Sequence, residues 1–129
     1  MKEIRKMTNE DSGFYEIFGP VFGAREIQRK TGDRFYDDDK KEWYIEQDET
    51  GEALAVVSVA GTVIKNVYAK DEAVLLKILK ELYYVITDSI VHSVYADIYR
   101  EVGYSVDEEE RLKKFIKIRG GNENGTIII

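Results

Sequence analysis

The sequence contains no cysteine, which excludes disulfides, thiolate nucleophiles and zinc sites built on cysteine. It has a single histidine, His92, so a metal centre made of several histidines is excluded as well. No apolar run approaches the ~18 residues that a membrane span requires, and the N-terminal residues lack the apolar core of a signal peptide. We therefore expect a cytoplasmic protein with no metal and no membrane partner.

Charge and length limit the function further. The chain has 129 residues and a formal net charge of −6, with a sequence pI of about 4.9. This length suits one domain with a single core. Because nucleic-acid affinity depends on clustered Lys and Arg, we expect no nucleic-acid partner. A DNA mimic would need a denser acidic surface than this composition supplies.

Hydrophobic patterning predicts the order strand, helix, helix, three strands, helix, strand, helix, two strands over residues 1–119. Gly19-Pro20 should break the first helix, because proline cannot donate a backbone hydrogen bond. The apolar run from Ala53 to Val59 predicts a strand that is covered on both faces. Residues 120–129, rich in Gly and Asn, predict a flexible tail after a single domain.

The second half of the chain predicts two helices around a short strand. Apolar residues from Asp71 to Tyr84 recur at helical spacing. Val85-Ile86-Thr87 is typical of a strand. A last helix, capped by Asp88 or Ser89, is expected to bury Ile90, Val94, Ile98 and Val102 and to end at Gly103.

Two segments at opposite ends of this order carry a resemblance. Ala96-x-Ile98-Tyr99-x-x-x-Gly103-Tyr104 resembles the A-x-L-Y-x-x-x-G-F segment of the GCN5-related N-acetyltransferases (GNAT), and Ile4-Arg5-x-Met7-Thr8-x-x-Asp11 resembles their usual start. The resemblance implies an α/β (α+β) fold: a mixed, mostly antiparallel central sheet of about seven strands, flanked by about four helices. Fold alone does not establish a reaction.

The resemblance also implies a site for acetyl-CoA and an acetyl transfer to an amine. Tyr99 matches the general acid that protonates the departing thiolate, a role that suits a phenol of pKa ~10. Asn66, Val67 and Tyr68 match the strand whose backbone pairs with the pantetheine arm, and Lys70 is the local positive charge. The alternative for Tyr99 is simple packing beside Tyr95.

The chain departs from the family where the pyrophosphate of acetyl-CoA is normally held. The family carries Gln/Arg-x-x-Gly-x-Gly/Ala there, whereas this chain has Tyr68-Ala69-Lys70-Asp71-Glu72-Ala73-Val74, with no glycine and no arginine. We expect Asp71 to cap the following helix itself and Glu72 to add a second negative charge. Losing two or three charge-assisted bonds of ~1.5–3 kcal/mol each would weaken binding at least ~100-fold.

The sequence gives less support for a catalytic base than it gives for Tyr99 as a general acid. Asp37, Asp38, Asp39 and Glu46 lie near the region that would flank an acceptor, but a solvated run of charges explains them equally. His92 suits a structural role among apolar neighbours. The aromatic segment Phe18-Gly19-Pro20-Val21-Phe22 suits core packing, a binding lip or a dimer contact.

Two functions remain open. One is a divergent GNAT-fold protein with weakened or lost acetyl-CoA binding, a pseudoenzyme that binds a protein or a small molecule. The other is an active N-acetyltransferase with an atypical cofactor site and a small-molecule amine as acceptor. The exposed edge of the fourth and fifth strands would also suit a peptide or a second subunit, so a dimer stays open.

Overall fold

The protein is built on two antiparallel sheets, of four and three strands. The computed structural model describes residues 3–31, 35–38, 40–112 and 114–125. Within these ranges the elements are β1 (Arg5–Met7), α1 (Phe14–Phe22), α2 (Arg25–Thr31), β2 (Lys41–Gln47), β3 (Ala53–Ala60), β4 (Val63–Ala69), α3 (Glu72–Leu82), β5 (Asp88–His92), α4 (Ala96–Val102), β6 (Ser105–Leu112) and β7 (Phe115–Arg119). The predicted α+β class is confirmed, with seven strands and four helices in the described residues.

The strands divide between β4 and β5. The first sheet has the order β1-β2-β3-β4 and the second the order β5-β7-β6. No ladder joins β4 to β5 in the described residues; instead, contacts connect the beginnings of the two strands. Thr87 N donates to Thr62 O at 2.9 Å, and Ile64 N donates to Ser89 Oγ at 2.9 Å. The two strands therefore meet at their beginnings without forming a ladder along their length in the described residues.

Helices cover both faces of the first sheet. Val56 on β3 belongs to an aromatic cluster with α1 and α2, whereas Ala55 and Val57 belong to a second cluster with α3 and α4. All three side chains are fully buried. Because alternate residues of a strand point to opposite faces, this explains the unbroken apolar run in β3. The predicted burial of this strand on both faces is confirmed.

The predicted break at Gly19-Pro20 is wrong, because α1 runs through Pro20 to Phe22. Phe14, Phe18 and Val21 are buried on one side of the helix. Pro20 itself is exposed. The buried stripe packs against Trp43, and its apolar burial outweighs the backbone hydrogen bond that Pro20 cannot make.

The prediction for residues 85–95 is also wrong. The strand covers Asp88–His92 rather than residues 85–87, and α4 begins only at Ala96. Ser89 and Val91 are 3% exposed, whereas Ile90 is 59% exposed. This alternation has the period of a strand, and β7 supplies the ladder, with Ile90 opposite Lys117. The available partner strand outweighed the apolar spacing that suggested a helix.

The first residues of the expected tail pack against the loop after α3. Gly120 N donates to Thr87 O, Gly121 N to Tyr83 O and Asn122 N to Ile86 O, at 2.9, 2.7 and 3.1 Å. Asn122 is 6% exposed. Residues 126–129 lie outside the described part of the chain, and the flexibility expected of the tail stays a prediction.

Candidate functional site at the ends of β4 and β5

The C-terminal end of β4 presents backbone groups to the gap beside β5. Lys70 N donates to Leu54 O on β3 at 2.8 Å. In an antiparallel ladder, successive residues point their N–H and C=O groups to opposite sides. The backbone of Ala69 therefore points away from β3, and by the same alternation so does that of Val67. This is the edge that the resemblance assigns to the pantetheine arm.

The side chain of Tyr95 occupies that edge. Its hydroxyl oxygen accepts a hydrogen bond from Ala69 N at 2.8 Å and donates to Ala69 O at 3.3 Å. Lys30 of α2 reaches the same carbonyl from the other side, with Nζ 2.7 Å from Ala69 O. Both backbone groups of Ala69 that point away from β3 are thus satisfied from within the chain.

A short 3₁₀ helix, Ser93–Tyr95, holds Tyr95 in this place. His92 Nδ1 accepts from Val94 N at 3.1 Å and so caps this turn, while its ring packs edge-on against Phe115. These contacts fit the structural role considered for His92. Tyr95 is 1% exposed, and burial raises the pKa of its hydroxyl while the hydrogen bond to Ala69 opposes that rise.

The β4–α3 junction likewise satisfies its own donors. Asp71 Oδ1 accepts from Ala73 N at 3.0 Å, which confirms the self-capping predicted for this helix start. Lys70 N and Asp71 N both donate to Leu54 O, at 2.8 and 2.9 Å. A phosphate at a helix N-terminus needs such N–H groups free. Lys70 Nζ pairs with Glu52 at 2.9 Å across an exposed surface.

Tyr99 lies deep in the core of the α3/α4 side. It is fully buried, and its hydroxyl has no hydrogen-bond partner among the described residues. Burial raises its pKa well above the ordinary value, and the neighbouring Tyr104 and Tyr95 add to the rise. The hydroxyl therefore stays protonated at neutral pH, as a general acid requires.

The remaining candidate cofactor residues lie on different faces of β4. Asn66 Oδ1 accepts from Lys41 Nζ at 3.2 Å and from Ser58 Oγ at 2.6 Å. Val67 packs in the α3/α4 core, whereas Tyr68 packs in the α1/α2 core. The side chains of Asn66 and Val67 are therefore engaged within the chain and are not available to a ligand.

The candidate bases are dispersed. Asp37 Oδ1 accepts from Trp43 Nε1 at 2.8 Å, and Asp38 Oδ1 accepts from Lys40 N at 2.9 Å. Glu46 is buried and pairs with Lys77 of α3, on the face opposite α1 and α2. Asp39 lies outside the described residues. No carboxylate of this set meets Tyr99 through a hydrogen bond in the described structure.

A charged cleft lies beside the end of β4, lined by Glu26, Arg29, Lys30, Glu52, Tyr68 and Lys70. Two of its cations come from α2, so Lys70 is not the local positive charge by itself. Lys30 contacts Ala69 across 39 positions of sequence. No local pattern signals such a contact. The sequence pattern indicated Tyr95 only as a packing neighbour of Tyr99, and its bond to Ala69 spans 26 positions.

The described residues hold no cluster of three metal-ligating side chains, and no described helix is long and apolar enough to cross a membrane.

No protein-family model and no curated protein matches the sequence. Several solved structures do match this chain in fold. An acetyltransferase of the GNAT family from Staphylococcus aureus Mu50 matches with a TM-score of 0.51 at 12% identity, covering 92% of this chain and 99% of that one.

An acyl-CoA N-acyltransferase from Pseudomonas aeruginosa matches with a TM-score of 0.53 at 15% identity, covering 93% of this chain and 99% of that one. The chain has a GNAT-like fold. In this GNAT-like chain, Tyr95 and Asp71 occupy backbone donors at the two places where the resemblance predicts the pantetheine and the pyrophosphate of acetyl-CoA.

Proposed function

We propose that this GNAT-like protein has weakened or lost acetyl-CoA binding and acts by binding a protein or a small molecule. The observation that carries the proposal is the bond between Ala69 N and the Tyr95 hydroxyl, 2.8 Å long and fully buried. A pantetheine arm pairing with β4 would have to displace this hydroxyl. Leaving a buried donor or acceptor unsatisfied costs ~1–3 kcal/mol.

The β4–α3 junction supports the same proposal. The N–H groups of Lys70, Asp71 and Ala73 are bonded to oxygens of the chain itself. A pyrophosphate would also meet the carboxylates of Asp71 and Glu72 at the helix start. Because like charges repel at short range, the two acids add to the loss of donors.

The test is a calorimetric titration with acetyl-CoA and with CoA, combined with the amide NMR spectrum. We expect no binding heat at millimolar ligand and no shift of the Ala69 amide resonance. The NMR signal separates pairing at β4 from weak association elsewhere on the surface. Micromolar affinity with a shifted Ala69 amide would contradict the proposal.

A second function is favoured by one observation. The buried hydroxyl of Tyr99 has no partner among the described residues, as would suit a general acid waiting for a thiolate. The corresponding activity is an N-acetyltransferase that moves acetyl from acetyl-CoA to a small-molecule amine. Its test is acetylation of a panel of primary amines, followed by mass spectrometry.

In that assay, Tyr99→Phe should lower the rate ~100-fold or more if Tyr99 donates the proton. Tyr84→Phe is the matched control, because Tyr84 is exposed and its ring packs edge-on against Tyr83 rather than against Tyr99. Activity in the wild type that depends on Tyr99 and not on Tyr84 would establish this second function. No acetylation of any amine would support the first.

We also propose the cellular setting and the class of partner. The formal charge of −6 favours a protein or an amine over nucleic acid or an anionic membrane. A cytoplasmic location and a dimer are both part of this proposal. Sedimentation of the purified chain tests the dimer, and fractionation of the source cells tests the location.

A further inference from the structure

Two adjoining cavities lie between α2 and the ends of β3 and β4. The first has a volume of about 140 Å³, and its apolar lining includes Ile17, Val21, Ala24 and Ile27. A single water needs only ~10–15 Å³ of such space, so this cavity accommodates an aliphatic group of several carbons. The second is the charged cleft beside β4.

The two cavities share walls. Glu26, Glu52 and Tyr68 line both of them. A molecule with an apolar part in the first cavity would therefore present its polar part directly to the second. An apolar cavity with a small number of convergent polar groups is typical of small-molecule sites.

The charged cleft contains one carboxylate and one guanidinium that are not paired. Lys70 pairs with Glu52, and Lys30 donates to Ala69 O. The side chains of Glu26 and Arg29 form no ion pair or hydrogen bond with any other described residue, although both line the cleft. They stand three positions apart on α2, so both open toward the same region.

Tyr68 supplies a third polar group. Its side chain is only 9% exposed, yet its hydroxyl forms no hydrogen bond to another described residue. Burial raises the pKa of this hydroxyl, and the nearby carboxylates of Glu26 and Glu52 raise it further. The Tyr68 hydroxyl is therefore a neutral donor in the wall shared by the two cavities.

We propose that this site binds a small amphiphilic zwitterion, of the class of an amino acid with an aliphatic side chain. The ligand's carboxylate lies against Arg29, its ammonium group against Glu26, and its side chain in the apolar cavity beside Ala24. This inference rests on the proposed function, because it names the small molecule that the chain would bind.

The charges favour a zwitterion over a polyanion such as pyrophosphate. Three cations line the cleft, but two carboxylates, Glu26 and Glu52, line it as well. A polyanion would meet both carboxylates at short range, whereas a zwitterion places each of its charges opposite a group of the other sign. The apolar cavity would also stay empty with pyrophosphate.

The experiment is a set of calorimetric and NMR titrations of the full chain with L-leucine, glycine and inorganic pyrophosphate. We expect L-leucine to bind best, with glycine at least ~10-fold weaker because it leaves the apolar cavity unfilled. Arg29→Gln should weaken L-leucine ~10-fold by removing a charge-assisted bond. Ala24→Leu should abolish L-leucine binding by filling the cavity.

Arg25→Gln is the matched control, because Arg25 is exposed on the same helix and lines neither cavity. It should leave the affinity for L-leucine unchanged. Equal binding of glycine and L-leucine, tighter binding of pyrophosphate, or no binding at about 10 mM L-leucine would each overturn the inference. A separate acetyl-CoA titration tests the proposed function, so the two failures are distinguishable.

Discussion

The hydroxyl of Tyr95 bonds to both backbone groups of Ala69, across 26 positions of sequence. This contact closes the outer edge of β4 at its C-terminal residue, where β4 is the last strand of its sheet. In a fold whose edge at this place is expected to receive a pantetheine arm, the chain supplies its own occupant. The bond between Tyr95 and Ala69, the cap that Asp71 gives α3 and the buried tyrosines each lead to a measurable effect on stability.

Replacing Tyr95 by Phe should destabilise the protein by ~1–3 kcal/mol, because the buried N–H of Ala69 loses its partner. The free energy of unfolding from urea titration measures the change. Tyr84→Phe, at a side chain 72% exposed, is the control and should change it by less than ~0.5 kcal/mol. Equal stability of the two variants would show that the hydroxyl contributes nothing to the fold.

Asp71→Ala should lower stability by ~1 kcal/mol, because the first turn of α3 loses its side-chain cap. Acetyl-CoA affinity should not improve, since Lys70 N and Asp71 N remain bonded to Leu54 O. Thermal melts with and without millimolar acetyl-CoA measure both effects. A ligand-dependent rise in melting temperature for Asp71→Ala alone would identify its carboxylate as the main obstacle to binding.

Gly120→Ala should lower the free energy of unfolding by ~1–3 kcal/mol, because the added methyl group overpacks this site. A Cβ at this position would lie 2.5 Å from Ile86 O and 2.9 Å from Tyr83 O, which are backbone atoms that cannot easily move. Gly19→Ala is the matched control. Gly19 lies inside α1, and a Cβ there would meet nothing within 4 Å. The higher helix propensity of Ala should therefore raise the free energy of unfolding by ~0.5–1 kcal/mol. Denaturant unfolding of both variants distinguishes the two signs.

Alkaline pH should destabilise the protein through its buried tyrosines. Burial, assisted by Tyr83, raises the pKa of Tyr104, whose hydroxyl donates to Leu79 O at 2.8 Å. A pKa raised by folding means that the stabilisation is complete below the unfolded value of ~10 and is lost as pH rises above it. The free energy of unfolding should then fall by up to ~1.4 kcal/mol per pH unit for each such tyrosine.

Tyr104→Phe should reduce this alkaline slope, although it also loses the bond to Leu79 and is less stable at neutral pH. Tyr84→Phe should leave the slope as in the wild type. Unfolding titrations between pH 8 and 11 measure all three proteins. Identical slopes for Tyr104→Phe and the wild type would contradict the assignment.

Much of the fold followed from local pattern. The stripe Val74, Leu75, Ile78, Leu79 and Leu82 predicted α3, and all five residues are buried. The apolar run of β3 predicted cover on both faces. Asp71 was expected to cap α3, and it does. In each case the deciding interaction lies within a few residues, or depends only on the period at which apolar side chains recur.

Other features depended on partners that are distant in the chain. Residues 88–92 have helical apolar spacing, but β7 offers a ladder and makes them a strand. Pro20 breaks an isolated helix, but the aromatic cluster around Trp43 holds α1 together through it. Each local preference amounts to a few kcal/mol at most, so burial against another element reverses it.

The sequence by itself determined the fold class, the acidic charge, the lack of thiol chemistry and the absence of glycine just before α3, because composition and short-range spacing contain that information. Only the tertiary structure decided that Tyr95 closes the edge of β4 and that Arg29 and Lys30 join Lys70 around one cleft. These contacts join segments 26 and 39 residues apart. Only the tertiary packing that brings α2 and the 3₁₀ helix before α4 to the end of β4 makes these contacts possible.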